Sequence, residues 1–173
     1  RIIRDVVGRT LVNRFPKGEP KIGDVAFEVR DWNVYHPVMT DRQIIKNASI
    51  KVRRGEIVGI AGLMGAGRTE FAMSIFGKAY GSRISGQIFK DGKKVEFNSV
   101  RDAIENGVAY LTEDRKSAGL ILIDDIRHNI TLPSLKKVSH RNFINENEEI
   151  KVAEEYRAKL DIKSSGILQK VEN

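Results

Sequence analysis

Residues 56–70, EIVGIAGLMGAGRTE, run from a short apolar, β-branched stretch into a glycine-rich turn. A phosphate-binding loop of the form G-x-x-x-x-G-K-[ST] needs glycine at its first and sixth positions. The backbone can then fold back and aim successive N–H groups at phosphate oxygens. Gly62 and Gly67 stand there, with Leu63, Met64, Gly65 and Ala66 between them. Thr69 keeps the hydroxyl that ligates Mg²⁺ in such loops, and Phe71, Ala72, Met73, Ile75 and Phe76 can start a helix whose N-terminus favours anions. The residues before the loop read as its strand, and the lysine is replaced by Arg68.

That replacement changes the chemistry. Lysine serves as a compact charge between two phosphates, whereas arginine is longer, planar and suited to forked contacts. Glu70 adds a second difference, because a carboxylate about 5 Å from a phosphate costs about 3 kcal/mol at an effective dielectric of 20. With no anion bound, the same residue suits a helix's first turn. Together the two substitutions describe a weakened or repurposed phosphate site. A dinucleotide fold is the rival reading, since residues 65–70 begin like G-x-G-x-x-G. The third glycine, needed for close helix–strand packing, is Glu70 here.

The chain has 173 residues and a formal charge of +7. That length allows one compact domain with a real core. Basic residues alternate with acidic ones, and no arginine-rich tract interleaved with aromatics occurs, so the charge reads as a solvated surface rather than a nucleic-acid interface. The absence of cysteine excludes disulfides and thiolate metal sites. His36, His128 and His140 lack ligand spacing. No apolar run is long enough to cross a bilayer, and the N-terminus lacks a signal-peptide core. The chain opens on Arg1, as an excised fragment would.

Residues 1–23, basic and punctuated by Pro16 and Pro20, read as a linker, and residues 24–173 as the folded part. Residues 25–29 and 44–52 are strand-like, and Asp91-Gly92 between residues 86–90 and 93–97 is a hairpin signal. Ser99 and Asp102 form a capping pair for a helix that Gly107 closes. Residues 108–111 read as a buried strand ending at the charged run 112–116, where α/β proteins place ligand contacts. From Ile126 the chain looks helical, and residues 148–160 form an amphipathic pattern with Ile150, Ala153, Tyr156 and Leu160 on one core-facing stripe. Residues 120–125, LILIDD, imitate an apolar strand with a magnesium-binding acidic pair. They follow the preceding strand too closely, and Asp124 or Asp125 is better placed to cap the next helix.

At this point the residues resemble a known family. IVGIAGLMGAGRTE (57–70), YLTEDRKSAGLIL (110–122) and IIRDVVGRTL (2–11) look like the C-terminal ATP-binding cassette of bacterial monosaccharide ABC importers, in which two cassettes share one polypeptide. Asp31 to Pro37, DWNVYHP, looks most like the xylose and multiple-sugar branch. The resemblance implies an α/β fold: a P-loop core of ABC type with an antiparallel β-subdomain and the start of the helical subdomain. It implies ATP and Mg²⁺ as ligands, held by Gly62 to Glu70, with Thr69 and Glu113 at the metal. Glu113 falls where other cassettes carry the Q-loop glutamine, and Tyr35 where an aromatic stacks on adenine.

The implied partners are the N-terminal cassette of the same polypeptide, the transmembrane permease subunits and, indirectly, a periplasmic sugar-binding protein, with no nucleic acid. The implied location is the cytoplasmic face of the inner membrane. In the family an LSGG-type signature, a Walker B strand and a switch histidine would come next. A piece that stops before them is expected not to turn over ATP, and no residue in it is expected to be catalytic. The alternative is a non-hydrolytic cassette that serves as scaffold for its partner cassette and the permease.

Overall fold

The computed structural model describes residues 20–172, so the linker expected over residues 1–23 lies mostly outside the described residues. Two compact units divide the chain between Tyr110 and Leu111.

The first unit is built on an antiparallel sheet of four strands, β1 (Val25–Tyr35), β2 (Gln43–Arg53), β3 (Ser82–Lys90) and β4 (Lys93–Val95), in the order β2-β1-β3-β4. β1 runs well beyond the stretch its alternation marks out. The register shifts between Val29 and Trp32, where Asp31 takes φ 53° and its N–H is taken up by Ser49 Oγ at 3.0 Å. This bulge hides the period of two in the sequence, yet it returns Trp32 and Val34 to the core face beside Val29. The β3–β4 turn follows expectation. Asp91 and Gly92 both take positive φ, 50° and 76°, as a two-residue hairpin of the type I′ kind requires.

Two helices cover one face of this sheet. α1 (Arg68–Ile75) contributes Phe71 and Ile75, and α2 (Val100–Glu105) contributes Ala103; these pack with Val29, Trp32, Val34, Ile45, Ile88 and Phe97 into one core. α1 is also pinned by a buried hydrogen bond. Trp32 Nε1 donates to Ser74 Oγ at 2.9 Å, and Ser74 Oγ donates to the Phe71 carbonyl at 2.7 Å. The expected caps of α2 are present. Ser99 Oγ accepts from Asp102 N, and Gly107 N and Val108 N donate back to Ile104 and Ala103 in a Schellman pattern. Between the helices Gly77 takes φ 66°, and a Cβ there would fall 2.2 Å from the Ser99 carbonyl carbon.

Residues 56–61 and 108–111, both expected as strands, join no ladder among the described residues. Apolar, β-branched sequence marks out an extended segment, but only a hydrogen-bonded neighbour makes it a strand. Ile57 is accordingly 99% exposed.

The second unit opens with a π-helical turn (Arg115–Gly119) capped by Asp114, followed by α3 (Ile126–Thr131). The helical run expected from Ile126 tightens to a 3₁₀ turn (Leu132–Val138) and kinks at Ser134. Pro133 has no N–H to continue the ladder. A short hairpin of β5 (Ser139–His140) and β6 (Phe143–Ile144) leads into α4 (Glu146–Lys159), capped by Asn145. The segment 167–172 clasps residues 122–127 through four backbone hydrogen bonds, Ile126 N to Gln169 O, Arg127 N to Ile167 O, Val171 N to Asp124 O and Glu172 N to Leu122 O.

α4 buries a different stripe from the one its apolar residues suggest. Ala153 is fully buried, but Tyr156 and Leu160 are 45% and 67% exposed. The packed side is set instead by Glu149, 2% exposed, whose Oε1 accepts from Thr131 Oγ1 at 2.7 Å and whose Oε2 lies 3.6 Å from Arg127 Nε. The buried side of α4 thus carries Ala153 and a paired carboxylate rather than the whole apolar stripe.

Candidate phosphate-binding site

The loop from Gly62 to Thr69 doubles back on itself. A Cβ built on Gly62 would sit 3.0 Å from Ala66 Cβ, and Ala66 N donates to Leu63 O at 3.0 Å across the tip. Gly65 and Gly67 both take left-handed backbone angles, φ 79° and 83°. Gly67 has a second reason to be glycine, since a Cβ there would meet Ile45 Cδ1 at 3.0 Å and Ile44 Cγ2 at 3.4 Å. Its carbonyl accepts the first intrahelical bond, from Phe71 N at 2.8 Å.

Gly67 is therefore the N-cap of α1, and no side chain caps that end. The N–H groups of Gly67, Arg68, Thr69 and Glu70 have no partner within the helix, by the geometry of its first turn. They form a cluster of donors at the positive end of the helix dipole. Arg68 and Thr69 are exposed there, and Glu70 is half-buried. Leu63 and Met64, at the tip, are almost fully exposed, at 86% and 99%. A cavity of about 470 Å³ lies under the loop, between the β2 face (Ile45, Ala48, Ile50) and residues Ile60, Gly67 and Phe71.

Tyr35 stands at the end of β1, opposite Gln43 of β2 and Ser82 of β3. The residue after Gln43, Ile44, would lie 3.4 Å through its Cγ2 from a Cβ at Gly67, so the strand paired with Tyr35 borders the loop. Its ring is half-buried, and the Arg83 guanidinium lies over it at 5.2 Å from the centroid. Sequence reasoning missed Arg83 because its position depends on the β1–β3 register. It missed the Trp32–Ser74 contact for a related reason, although a single tryptophan in the chain was a signal that could have been followed.

Glu113 belongs to the second unit, where it is exposed ahead of the π-helical turn. Its neighbour Asp114 accepts from Ser117 N at 3.1 Å and also binds the Ser117 hydroxyl; that side-chain bond holds the carboxyl below the usual range. Asp125 caps α3 by accepting from His128 N at 2.8 Å, as expected for this acidic pair. Asp124 instead pairs with His128 Nδ1 at 2.7 Å. The pairing raises the imidazole's affinity for a proton and lowers that of the carboxyl.

A glycine loop that folds back onto an uncapped helix N-terminus, ahead of a hydroxyl residue, defines a protein of the P-loop class with mixed α/β architecture. The comparisons carry this one step further. The profile of the ABC transporter family matches residues 45–171, and the chain belongs to that family. It is 56% identical over 172 residues to the L-arabinose transport ATP-binding protein of Geobacillus stearothermophilus, covering 99% of this chain and 34% of that protein. It is 49% identical over 173 residues to a xylose import ATP-binding protein of Thermoanaerobacter pseudethanolicus, covering 100% of this chain and 34% of the relative. A ribose import ATP-binding protein of Clostridium perfringens is 41% identical over 174 residues, covering 100% of this chain and 33% of the relative. The chain therefore spans about a third of the length of these curated relatives. No helix among the described residues is long and apolar enough to cross a membrane.

Proposed function

We propose that this chain is the ATP-binding part of a monosaccharide importer and that the Gly62–Thr69 loop cradles the phosphates of ATP. The observation that carries this reading is the uncapped N-terminus of α1 directly behind a glycine turn with positive φ at Gly65 and Gly67. The donor set fits an anionic phosphate chain, since the uncapped first-turn N–H groups and Arg68 are all positive ends. Thr69, at the second position of the helix, would hold Mg²⁺ through its hydroxyl. Bound Mg²⁺ would neutralise charge on the phosphate oxygens. Tyr35 would offer its ring to the adenine. The relatives named for L-arabinose, xylose and ribose import support a sugar as the cargo.

By the same reading the parent protein couples ATP binding and hydrolysis to sugar uptake. It works with a second cassette in the same polypeptide, with permease subunits and, indirectly, with a periplasmic sugar-binding protein, at the cytoplasmic face of the inner membrane. No catalytic base is assigned among the described residues. Calorimetry with ATP and Mg²⁺ on wild type, Thr69→Ala and Gly67→Asp tests the cradle. The expected result is binding by wild type, weaker Mg²⁺-dependent binding by Thr69→Ala, and loss with Gly67→Asp, whose side chain would collide with Ile45 and Ile44 at a positive φ and break the loop. Equal binding by all three variants would overturn the reading.

Arg68 and Glu70 favour a second reading, in which this cassette binds nucleotide without hydrolysing it and serves as a scaffold. Replacing Arg68 by lysine in the parent protein separates the two. An impaired hydrolytic site gains ATPase activity, whereas a scaffold gains none.

A further inference from the structure

The cation over Tyr35, Arg83, belongs to β3 and lies outside the Gly62–Glu70 stretch of sequence. Arg83 follows Ser82, the cross-strand partner of Tyr35, and adopts φ 45°, a left-handed angle that a residue with a side chain rarely takes. That turn of the backbone brings its guanidinium over the Tyr35 ring, 5.2 Å from the centroid. Asp41, from the β1–β2 turn, holds one guanidinium nitrogen at 3.3 Å. Asp41 is fully exposed, so this ion pair is screened and weak, and the ring is the firmer of the two contacts. The turn itself is braced by His36 Nδ1, which accepts from Val38 N at 3.1 Å and Met39 N at 3.0 Å, and by Ser82 Oγ donating to the His36 carbonyl at 2.9 Å. Among the described residues no other ring or cation stacks on Tyr35.

A cation on one face of an aromatic ring draws π density toward itself and leaves the opposite face less negative. That face then stacks better on an electron-rich purine. We propose that Arg83 is a positioning residue for the nucleotide base, fixing Tyr35 from behind so that the ring's free face receives adenine. The proposal rests on the nucleotide-binding reading above. It assigns to the β3 end of the sheet a part in recognising the base, separate from the phosphate contacts of the loop.

The test is a double-mutant cycle on the full chain, read by calorimetry at physiological salt with two probes, MgATP and magnesium tripolyphosphate. Arg83→Gln is expected to weaken MgATP about two- to five-fold, the range of an exposed cation–π contact, and to leave tripolyphosphate binding unchanged. Arg83→Lys, which keeps the cation, restores most of the loss. In a Tyr35→Leu background the Arg83→Gln effect disappears. A merely structural or long-range charge role would weaken both probes together, and that result overturns the proposal. So does unchanged MgATP affinity in Arg83→Gln, or an undiminished effect without the Tyr35 ring. Wild type binding neither probe would instead remove the nucleotide reading itself, whereas wild-type binding with no Arg83–Tyr35 coupling removes this inference alone.

Discussion

Replacing Ser74 by alanine tests whether the phosphate-loop helix is held to the sheet by the contact described above. Ser74 is fully buried, and its hydroxyl takes the indole N–H of Trp32 at 2.9 Å. Alanine leaves that donor, on a ring only 5% exposed, with no partner. An orphaned buried donor costs about 1–3 kcal/mol, and the better helix propensity of alanine returns about 0.5 kcal/mol. The net expectation is a destabilisation of about 1–2 kcal/mol. Trp32 is the chain's single tryptophan, so its fluorescence follows the site itself during urea unfolding. With a slope of about 2 kcal/mol per molar urea, the midpoint should fall by about 0.5–1 M with the slope unchanged. A midpoint within about 0.1 M of wild type would mean that the bond contributes nothing and that apolar packing alone docks α1.

Other perturbations bear on the remaining supports. Gly77→Ala places a Cβ 2.2 Å from the Ser99 backbone at a positive φ, so thermal melting followed by circular dichroism should show a loss of about 2 kcal/mol or more. The hydrogen bond from Arg30, helped by Lys51, lowers the Glu28 carboxyl from 4.5 to about 2. A depressed carboxyl stabilises fully above its ordinary pKa and loses that contribution as pH falls through the folded value. Between pH 4.5 and about 2, wild type should therefore lose stability that Glu28→Gln never had, as read by acid titration of urea midpoints. His128 is raised by Asp124, so its contribution is full below its ordinary 6.5 and fades as pH rises through the elevated folded value. Amide exchange at Ile126, Arg127, Val171 and Glu172, corrected for the intrinsic pH dependence, should show protection falling over that range in wild type and flat in His128→Gln.

Features set by a few adjacent residues were legible in the sequence. The Asp91-Gly92 turn, the Ser99 and Gly107 caps, the Asp125 cap and the glycine loop each follow from local backbone requirements, and each has the expected form. What was not legible depended on distant partners. The bulge at Asp31 concealed how far β1 extends, and residues 56–61 and 108–111 pair with no strand among the described residues. α4 buries Glu149 beside Ala153 and leaves Tyr156 and Leu160 of its apolar stripe exposed. At the candidate site, the order of residues marked out the glycine loop, but only the strand register sets Tyr35 opposite Gln43 of β2 and Arg83 over its ring.

The measurement closest to the central claim is amide hydrogen exchange across the glycine loop, with and without MgATP. First-turn N–H groups that point at phosphate oxygens should exchange more slowly on binding. The account predicts protection at Gly65, Gly67, Arg68, Thr69 and Glu70 in wild type and none in Gly67→Asp. Unchanged exchange at these five amides under saturating MgATP, or protection that survives in Gly67→Asp, would contradict it.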